Sequence, residues 1–277
     1  MTTNILNYQK TNNMQRSNNP IVNKVIDKFE SVYIMTKSFV ENRYSAIKAI
    51  LVSGDAGTGK THWVKMAIYD MGLAPEDVYY IKGASISAAA LYVILYKFRE
   101  EGKLVVLDDC DIIHKPTGER NAIMDMIKGA TEVTKDEREI AWEKIPNQLM
   151  RENNVPNRFS FDGSLIWITN DTIEDIAKKA KSHWNAMGSR FNQIKVYLTN
   201  EEKLSYTLYL IEDCDMLGKS CQGKEGGYSI KVQNDTIDYI KEHWESLSEI
   251  TPRVATKIAD MRNNFPTNWK TLVKNQI

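Results

Sequence analysis

The chain has 277 residues, of which 42% are hydrophobic and 26% charged, a composition that predicts a globular protein of one or two domains and excludes a largely disordered chain. Its 36 basic and 36 acidic side chains cancel, so net charge gives no overall attraction to nucleic acid. Because no apolar run reaches membrane-spanning length and the polar N-terminus is unlike a secretory signal, we expect a cytoplasmic protein with no membrane partner.

The N-terminal segment is expected to lack its own fold. Residues 1–19 are rich in asparagine and other polar side chains, a composition typical of a disordered tail. From Pro20, apolar residues recur at helical spacing and predict a helix that leads into the core.

Between residues 49 and 198, short apolar runs alternate with segments of helical periodicity. The runs predict strands at 49–52, 78–81, 104–107, 165–168 and 194–198, and the periodic segments predict helices from 60 to about 71, 87 to 99, 121 to 128 and 172 to 186. This alternation predicts a parallel sheet sandwiched by helices. Residues 131–160 break the pattern and are expected to form an insertion or long loop.

After residue 200 no strand pattern remains. Helices are predicted from Asn200 to 216, from Asn234 or Asp235 to 244, from Pro252, and from Pro266, with a glycine-rich loop at 218–227. The predicted fold class is therefore α/β, with a domain at 20–200 followed by a small all-helical domain at 201–277.

The first predicted strand runs directly into a glycine-rich motif with the spacing G-x-x-x-x-G-K-T. The motif consists of Gly54, Asp55, Ala56, Gly57, Thr58, Gly59, Lys60 and Thr61. Its glycines allow backbone N–H groups to surround a polyphosphate, and the helix that follows points its positive end at the same anion. In such a phosphate-binding loop (P-loop), Lys60 contacts the β- and γ-phosphates and Thr61 ligates Mg²⁺.

A second motif ends the third predicted strand. Residues 103–107 are a mostly apolar segment that predicts a buried strand, and Asp108 and Asp109 follow at its carboxyl end. Ligands bind at this edge of the sheet in open α/β folds. Asp108 is predicted to hold Mg²⁺ and Asp109 to polarise an attacking water. The alternative is a strand that simply ends in acidic turn residues.

Three further positions are weaker candidates on their own. Asn170 ends the strand at 164–169, where its amide would orient the water. Arg190 precedes the last strand, where it would reach the γ-phosphate of a neighbouring subunit. Arg253 begins a helix of the second domain, where it would report the state of the nucleotide. The alternatives are an ordinary strand end and two solvated arginines.

Taken in order, these motifs resemble those of the AAA+ ATPases. The matching segments are GDAGTGKT at 54–61, VVLDD at 105–109, ITN at 168–170, GSRF at 188–191 and TPRVATKI at 251–258. The resemblance implies ATP and Mg²⁺ as ligands, with Asn170 as sensor 1, Arg190 as arginine finger and Arg253 as sensor 2. It also implies that residues 201–277 form a helical lid and that identical chains assemble into a ring, usually a hexamer.

The chain departs from the family at two places. In the family, the metal-binding aspartate of the Walker B motif, here Asp108, is usually followed by Glu. In this chain the following residue is Asp109. We therefore expect slower hydrolysis or hydrolysis that depends on a partner. The segment 83–87 lacks the aromatic residue of protein-threading relatives, which counts against an unfoldase. The single-module organisation is loosely similar to small ATPases of phages and mobile elements.

The leading hypothesis is an oligomeric ATPase motor or loader that moves or remodels a macromolecule, with nucleic acid as the favoured substrate. Candidate phosphate contacts in and beside the insertion are Lys128, Lys135, Arg138, Lys144, Arg151 and Arg158. Interleaved acidic residues favour the alternative of a solvated surface. The other hypotheses are a protein-remodelling or adaptor ATPase with a protein client, and a slow nucleotide switch that scaffolds an assembly.

Overall fold

The computed structural model describes residues 16–41, 46–83, 85–143, 147–218 and 225–276. Within these residues the chain divides into two compact units, one with residues 28–54 and 60–196 and the other with 16–27, 55–59 and 197–276. Most of the predicted tail lies outside the described residues, as does Lys144. The functional domain limits near residues 20 and 200 stay a prediction.

The first unit is built on a parallel sheet. Its strands are β1 (Ala49–Gly54), β2 (Val78–Lys82), β3 (Leu104–Asp108), β4 (Glu139–Ala141), β5 (Arg158–Ser160), β6 (Ser164–Thr169) and β7 (Asn192–Val196). Among the described residues, five of these strands form one sheet in the order β2-β3-β6-β1-β7, with every neighbouring pair parallel. This confirms the parallel sheet predicted from the sequence.

The central strands are covered on both faces. Every residue of β1, β3 and β6 is buried. Since successive side chains of a strand point to opposite faces, complete burial requires packing on each side of the sheet. The helices up to residue 196 are α1 (Pro20–Glu41), α2 (Lys60–Asp70), α3 (Ala88–Lys97), α4 (Thr117–Ala130), α5 (Gln148–Glu152), α6 (Ile173–Lys179) and α7 (Lys181–Met187).

Two helices differ from their predicted limits. Helix α4 starts at Thr117, four positions before the predicted 121. The helix predicted over 172–186 is interrupted at Ala180, whose φ of −126° and ψ of 42° are not helical. Thr172 caps α6 by accepting a hydrogen bond from the Asp175 N–H, and the chain then turns at Ala180 to begin α7.

The expectation of a long loop at 131–160 is wrong. Strands β4 and β5 form an antiparallel pair there, with Ile140 opposite Phe159 and both side chains buried. Tyr92 of α3 packs on Phe159, with ring centroids 5.1 Å apart. Burial also raises the pKa of the Tyr92 hydroxyl to about 12. Because Ile140 and Phe159 are buried, strands β4 and β5 belong to the core of the first unit.

The second unit contains the predicted C-terminal helices. They are α8 (Asn200–Glu212), α9 (Ile230–His243), α10 (Pro252–Asn264) and α11 (Trp269–Gln276). Thr199 caps α8 in a reciprocal capping box with Glu202, and Ser229 caps α9, so α9 starts four residues before the predicted Asn234. Thr251 caps α10, which starts at the predicted Pro252. Apolar side chains of all four helices form one core.

Helix α2 carries a histidine that makes stability depend on pH. Burial lowers the pKa of His62, so below about pH 6.5 the unfolded chain binds a proton that the folded chain resists. We therefore expect the folded state to lose stability as the pH falls from 7 to 5. The measurement is the urea midpoint against pH, and His62→Gln is expected to flatten the decline; equal declines would contradict this assignment.

None of the helices in the described ranges combines the length and apolarity needed to cross a lipid bilayer.

Candidate functional site

The turn between β1 and α2 adopts a backbone that requires glycine. Gly57 and Gly59 have φ values of +71° and +114°, which residues with side chains rarely adopt. Gly54 is constrained differently, because a Cβ there would lie 2.2 Å from the carbonyl oxygen of Val196 on β7. Each glycine of the motif therefore has a local structural reason.

Residues 55–59 are fixed by contacts inside the second unit. The Asp55 carboxylate accepts hydrogen bonds from the Leu198 N–H, at 3.1 Å, and from Lys203 Nζ, at 3.0 Å. The buried Thr58 hydroxyl donates to the Asp55 carbonyl at 3.0 Å. Ala56 is exposed at the tip. The Asp55 side chain thus ties the loop to the start of the C-terminal helices.

The same loop approaches the start of α10. A Cβ built on Gly57 would lie 3.1 Å from Thr251 Cγ2. Arg253 follows two residues later and is exposed, without an ion pair to another described residue. The predicted sensor arginine and the loop tip therefore belong to one neighbourhood of the second unit.

Lys60 is the first residue of α2 and is buried. Its Nζ donates to the Gly54 carbonyl at 2.8 Å and to Asn170 Oδ1 at 2.9 Å. Asn170 Nδ2 in turn donates to Asp109 Oδ1 at 2.9 Å. The structure therefore brings together three residues that the sequence predicted separately, from α2, the end of β6 and the end of β3.

Thr61 and Asp108 form the neighbouring pair. The Thr61 hydroxyl lies 2.9 Å and 3.0 Å from the two carboxylate oxygens of Asp108, which is fully buried. A hydroxyl and a carboxylate suit Mg²⁺, which uses one or two protein oxygens together with substrate phosphates. No group of three or more His, Cys, Asp or Glu in the described ranges is placed to hold a metal, so the fit is to Mg²⁺ with a phosphate ligand.

Sequence reasoning missed Tyr80 as a site residue. Its hydroxyl donates to Asp108 Oδ2 at 2.8 Å, and Lys65 Nζ lies 4.7 Å from the centre of its ring. Burial and then nearby Lys82 lower the pKa of Lys65, while Asp108 raises it. The signal was available, because Lys82 pairs with Asp108 across β2 and β3 and strand alternation puts Tyr80 on the same face.

Asp109 has an unusual backbone. Its φ is +52°, in the left-handed region that Asp and Asn tolerate better than longer side chains. Its N–H donates to the Ile168 carbonyl of β6 at 3.1 Å, and its side chain is exposed. Asp108 therefore points into the protein and Asp109 points out of it.

Arg190 is not part of this cluster. It lies in a short 3-10 turn after α7, where Nη2 pairs with Glu132 at 2.6 Å and Nη1 donates to the Lys128 carbonyl at 3.2 Å. These partners lie at and just beyond the end of α4. The side chain is anchored within its own chain, away from the Lys60 contacts.

Two arginines of the insertion form hydrogen bonds or ion pairs within the chain. Arg138 is 3% exposed, and it donates to the carbonyls of Glu132, at 2.7 Å, and Ala46, at 3.1 Å. Burial lowers the pKa of Arg138. Arg158 pairs with Glu139 and Glu143. The prediction that Arg138 contacts phosphates is therefore wrong, since its guanidinium is a structural donor. Lys128, Lys135 and Arg151 are exposed.

The sheet, the glycine loop after β1, the acidic end of β3 and the C-terminal helices are the arrangement that the sequence resemblance implied. The chain has an α/β fold with a parallel five-stranded sheet, flanking helices and further helices at the C-terminal end. Solved structures that resemble it are AAA+ ATPases. The Holliday junction branch migration motor RuvB of Thermotoga maritima has a TM-score of 0.49 and 12% identity, with 90% of this chain and 63% of that one covered.

Two other AAA+ structures give similar values. NtrX of Brucella abortus in complex with ATP has a TM-score of 0.46 and 11% identity, with 86% of this chain and 53% of that one covered. PCH-2 of C. elegans has a TM-score of 0.42 and 12% identity, with coverages of 91% and 67%. The chain thus spans less than two thirds of the length of the RuvB and NtrX structures.

No protein-family model matches the sequence. An uncharacterized 36.7 kDa protein of Enterobacteria phage T4, from the nrdC-mobD intergenic region, is 25% identical over 273 residues. The match covers 94% of this chain and 77% of the phage protein.

Proposed function

We propose that this protein is an ATP hydrolase of the AAA+ type, which binds ATP with Mg²⁺ at residues 54–61. The observation that carries the proposal is the set of contacts that joins Lys60, Asn170 and Asp109, beside the pair formed by Thr61 and Asp108. Phosphoryl transfer requires a cation for the phosphates, two side chains that ligate a metal ion, a carboxylate and an amide that orients the water. The test is phosphate release by purified protein with ATP.

Each residue has a distinct role in the proposed reaction. Lys60 exchanges its contacts for oxygens of the β- and γ-phosphates. Thr61 and Asp108 would hold Mg²⁺, which would supply positive charge to the phosphates. Asp109 accepts a hydrogen bond from the attacking water and Asn170 fixes that water's position.

Turnover is expected to be slow unless a partner adjusts Asp109. Its carboxylate reaches about one methylene less far than that of a glutamate, which would lengthen its hydrogen bond to the attacking water. A binding partner that shifts the segment after β3 would shorten this distance. The rate with and without added macromolecule measures the effect.

The proposed active form is a ring of identical chains, with six as the expected number. Arg190 acts in trans on the neighbour's γ-phosphate, consistent with its separation from the Lys60 contacts of its own chain. Its pairing with Glu132 holds the guanidinium in place before assembly. Arg253, beside the loop tip, is proposed as the nucleotide sensor. Mass measurement with and without ATP tests the assembly.

Arg190→Ala is expected to retain ATP affinity and to lose turnover by about 10³-fold, the effect typical of a missing arginine finger. Mixing it with a Lys60→Ala subunit is expected to restore part of the activity, because each chain supplies what the other lacks. Phosphate release over a range of mixing ratios is the measurement. Activity that stays at the sum of the two separate variants would assign Arg190 a structural role, and Arg190→Lys serves as the charge-matched comparison.

The macromolecule that we favour as substrate is nucleic acid, because the first unit carries a basic cleft separate from the nucleotide site. The competing proposals are a protein-remodelling or adaptor ATPase and a slow switch that scaffolds an assembly. ATPase rates with DNA, RNA or no addition separate the first two, and binding of ATP without turnover would favour the switch.

A further inference from the structure

A cleft of about 510 Å³ lies in the first unit between the N-terminal turn of α4 and the junction of α6 and α7. Its lining includes Arg120, Lys178, Lys179, Lys181 and His183, together with neutral polar side chains such as Asn185. No acidic side chain is among the described residues that line it. In a chain of zero net charge, this is a local concentration of positive charge.

The two lysines that flank the α6–α7 junction are not neutralised by ion pairs. Lys178 and Lys181 are exposed and form no salt bridge with another described residue. The break at Ala180, which separates the two helices, places these two side chains at the same cleft. Both ammonium groups are therefore open to an anionic ligand.

Arg120 adds a third cation. Its guanidinium lies 3.5 Å from the Ile113 carbonyl and 3.4 Å from the Thr117 hydroxyl, and it meets no carboxylate in the described residues. Its Nε is buried without a hydrogen-bond partner there. An arginine whose donors are poorly used at the wall of a cleft is suited to a phosphate, which accepts several hydrogen bonds at once.

The acidic groups near the cleft are already bound. Asp125 pairs with His183 at 3.2 Å, and Asp175 accepts from the Thr172 hydroxyl, which lowers the pKa of Asp175. They reduce the positive field without filling the cleft. The cleft therefore favours a ligand with more than one negative charge.

A short series of contacts links the cleft to the nucleotide site. Lys179 Nζ lies 2.6 Å from His114 Nδ1, and His114 Nε2 lies 2.7 Å from Asp171 Oδ1. Asp171 follows Asn170 directly in the chain. These contacts connect Lys179 at the cleft with the residue that follows Asn170, while the cleft itself remains separate from the nucleotide site.

We propose that this cleft binds the phosphate backbone of a single-stranded nucleic acid. Among the described residues no Phe, Tyr or Trp lines it, so the cations offer contacts mainly to phosphates, and binding without sequence preference follows. The volume suits a ligand of nucleotide size. The inference rests on the proposed function in that it names the substrate class of the ATPase, although the binding itself needs no hydrolysis.

The experiment measures fluorescence anisotropy of a labelled oligothymidylate of roughly 20 nucleotides with nucleotide-free protein over a range of salt. The double substitution Lys178→Ala with Lys181→Ala is expected to weaken binding about tenfold and to reduce the log–log salt slope by about 1.4, since each phosphate contact contributes about 0.7. Exposed helix lysines provide a matched control, Lys231→Ala with Lys274→Ala, which is expected to bind like the wild type.

Two results would overturn the proposal. One is no strand binding by the wild type at about 50 mM salt; the other is equal affinity of the double variant and the matched control. Tripolyphosphate binding is measured for the wild type and the double variant, both with ATP bound so that residues 54–61 are occupied; if the wild type binds it, the double variant does not and no strand binds, the cleft serves a free phosphate compound instead. ATP affinity of the same proteins is measured in parallel, so that loss of strand binding with intact ATP binding separates this failure from failure of the proposed ATPase.

Discussion

Lys60→Ala is expected to weaken ATP binding by at least about 100-fold. The buried ammonium is the proposed partner of the β- and γ-phosphates, and hydrogen bonds to charged groups contribute about 1.5–3 kcal/mol each. The substitution also removes the donor that holds Asn170 Oδ1 at 2.9 Å. Turnover should therefore fall even at saturating ATP. Equilibrium binding of a fluorescent ATP analogue and phosphate release measure the two effects.

The control for this substitution is Lys97→Ala, an exposed lysine at the end of α3. It makes the same change in side chain and charge on the surface of the same unit, and we expect wild-type affinity. Thermal midpoints of both variants show whether each is folded. Unchanged ATP affinity in folded Lys60→Ala protein would refute the assignment of residues 54–61 as a phosphate-binding loop.

Asp109→Asn is expected to preserve ATP affinity and to lower turnover by at least about 100-fold, the lower end of the usual contribution of a general base. The amide has nearly the same shape as the carboxylate, and Asn is well tolerated at a φ of +52°. The loss therefore reports the missing negative charge beside the water. Single-turnover phosphate release is the measurement.

Asp111 offers a closely matched comparison. It is also an exposed aspartate with a positive φ, +45°, and it lies two residues further along the chain. Asp111→Asn repeats the change in charge and backbone preference outside the proposed chemistry, and we expect near-normal turnover. If both substitutions reduce turnover equally, the effect of Asp109 is one of local electrostatics or backbone rather than of water activation.

The sheet was predictable because its central strands β1, β3 and β6 are mostly runs of apolar, often β-branched residues. Residues 104–107 and 165–168 are fully buried. Apolar runs of this length are typical of buried strands and are too short for a buried helix. Strands β4 and β5 were missed because each has three residues and a single buried side chain. Such short strands can be recognised only from their pairing, in which Ile140 lies opposite Phe159. That pairing joins residues far apart in sequence.

The candidate site was predictable where one local motif sets the chemistry and less so where side chains converge from distant segments. Lys60 and Thr61 follow from the spacing of the glycines. The contact of Asn170 with both Lys60 and Asp109 depends on the strand order of the sheet. The burial of Arg138 was not predictable, because its partners include the main-chain carbonyl of Ala46, and main-chain partners leave no signature in residue type.

The left-handed backbone of Asp109 also limits how this protein can be engineered or can evolve. A glutamate at this position, the residue that the AAA+ resemblance implies, would have to adopt a φ of +52°, at a penalty on the order of 1 kcal/mol. The longer reach of a glutamate would therefore come with a strained backbone. The same residue donates its N–H to the Ile168 carbonyl at 3.1 Å, a contact that ties this backbone to β6.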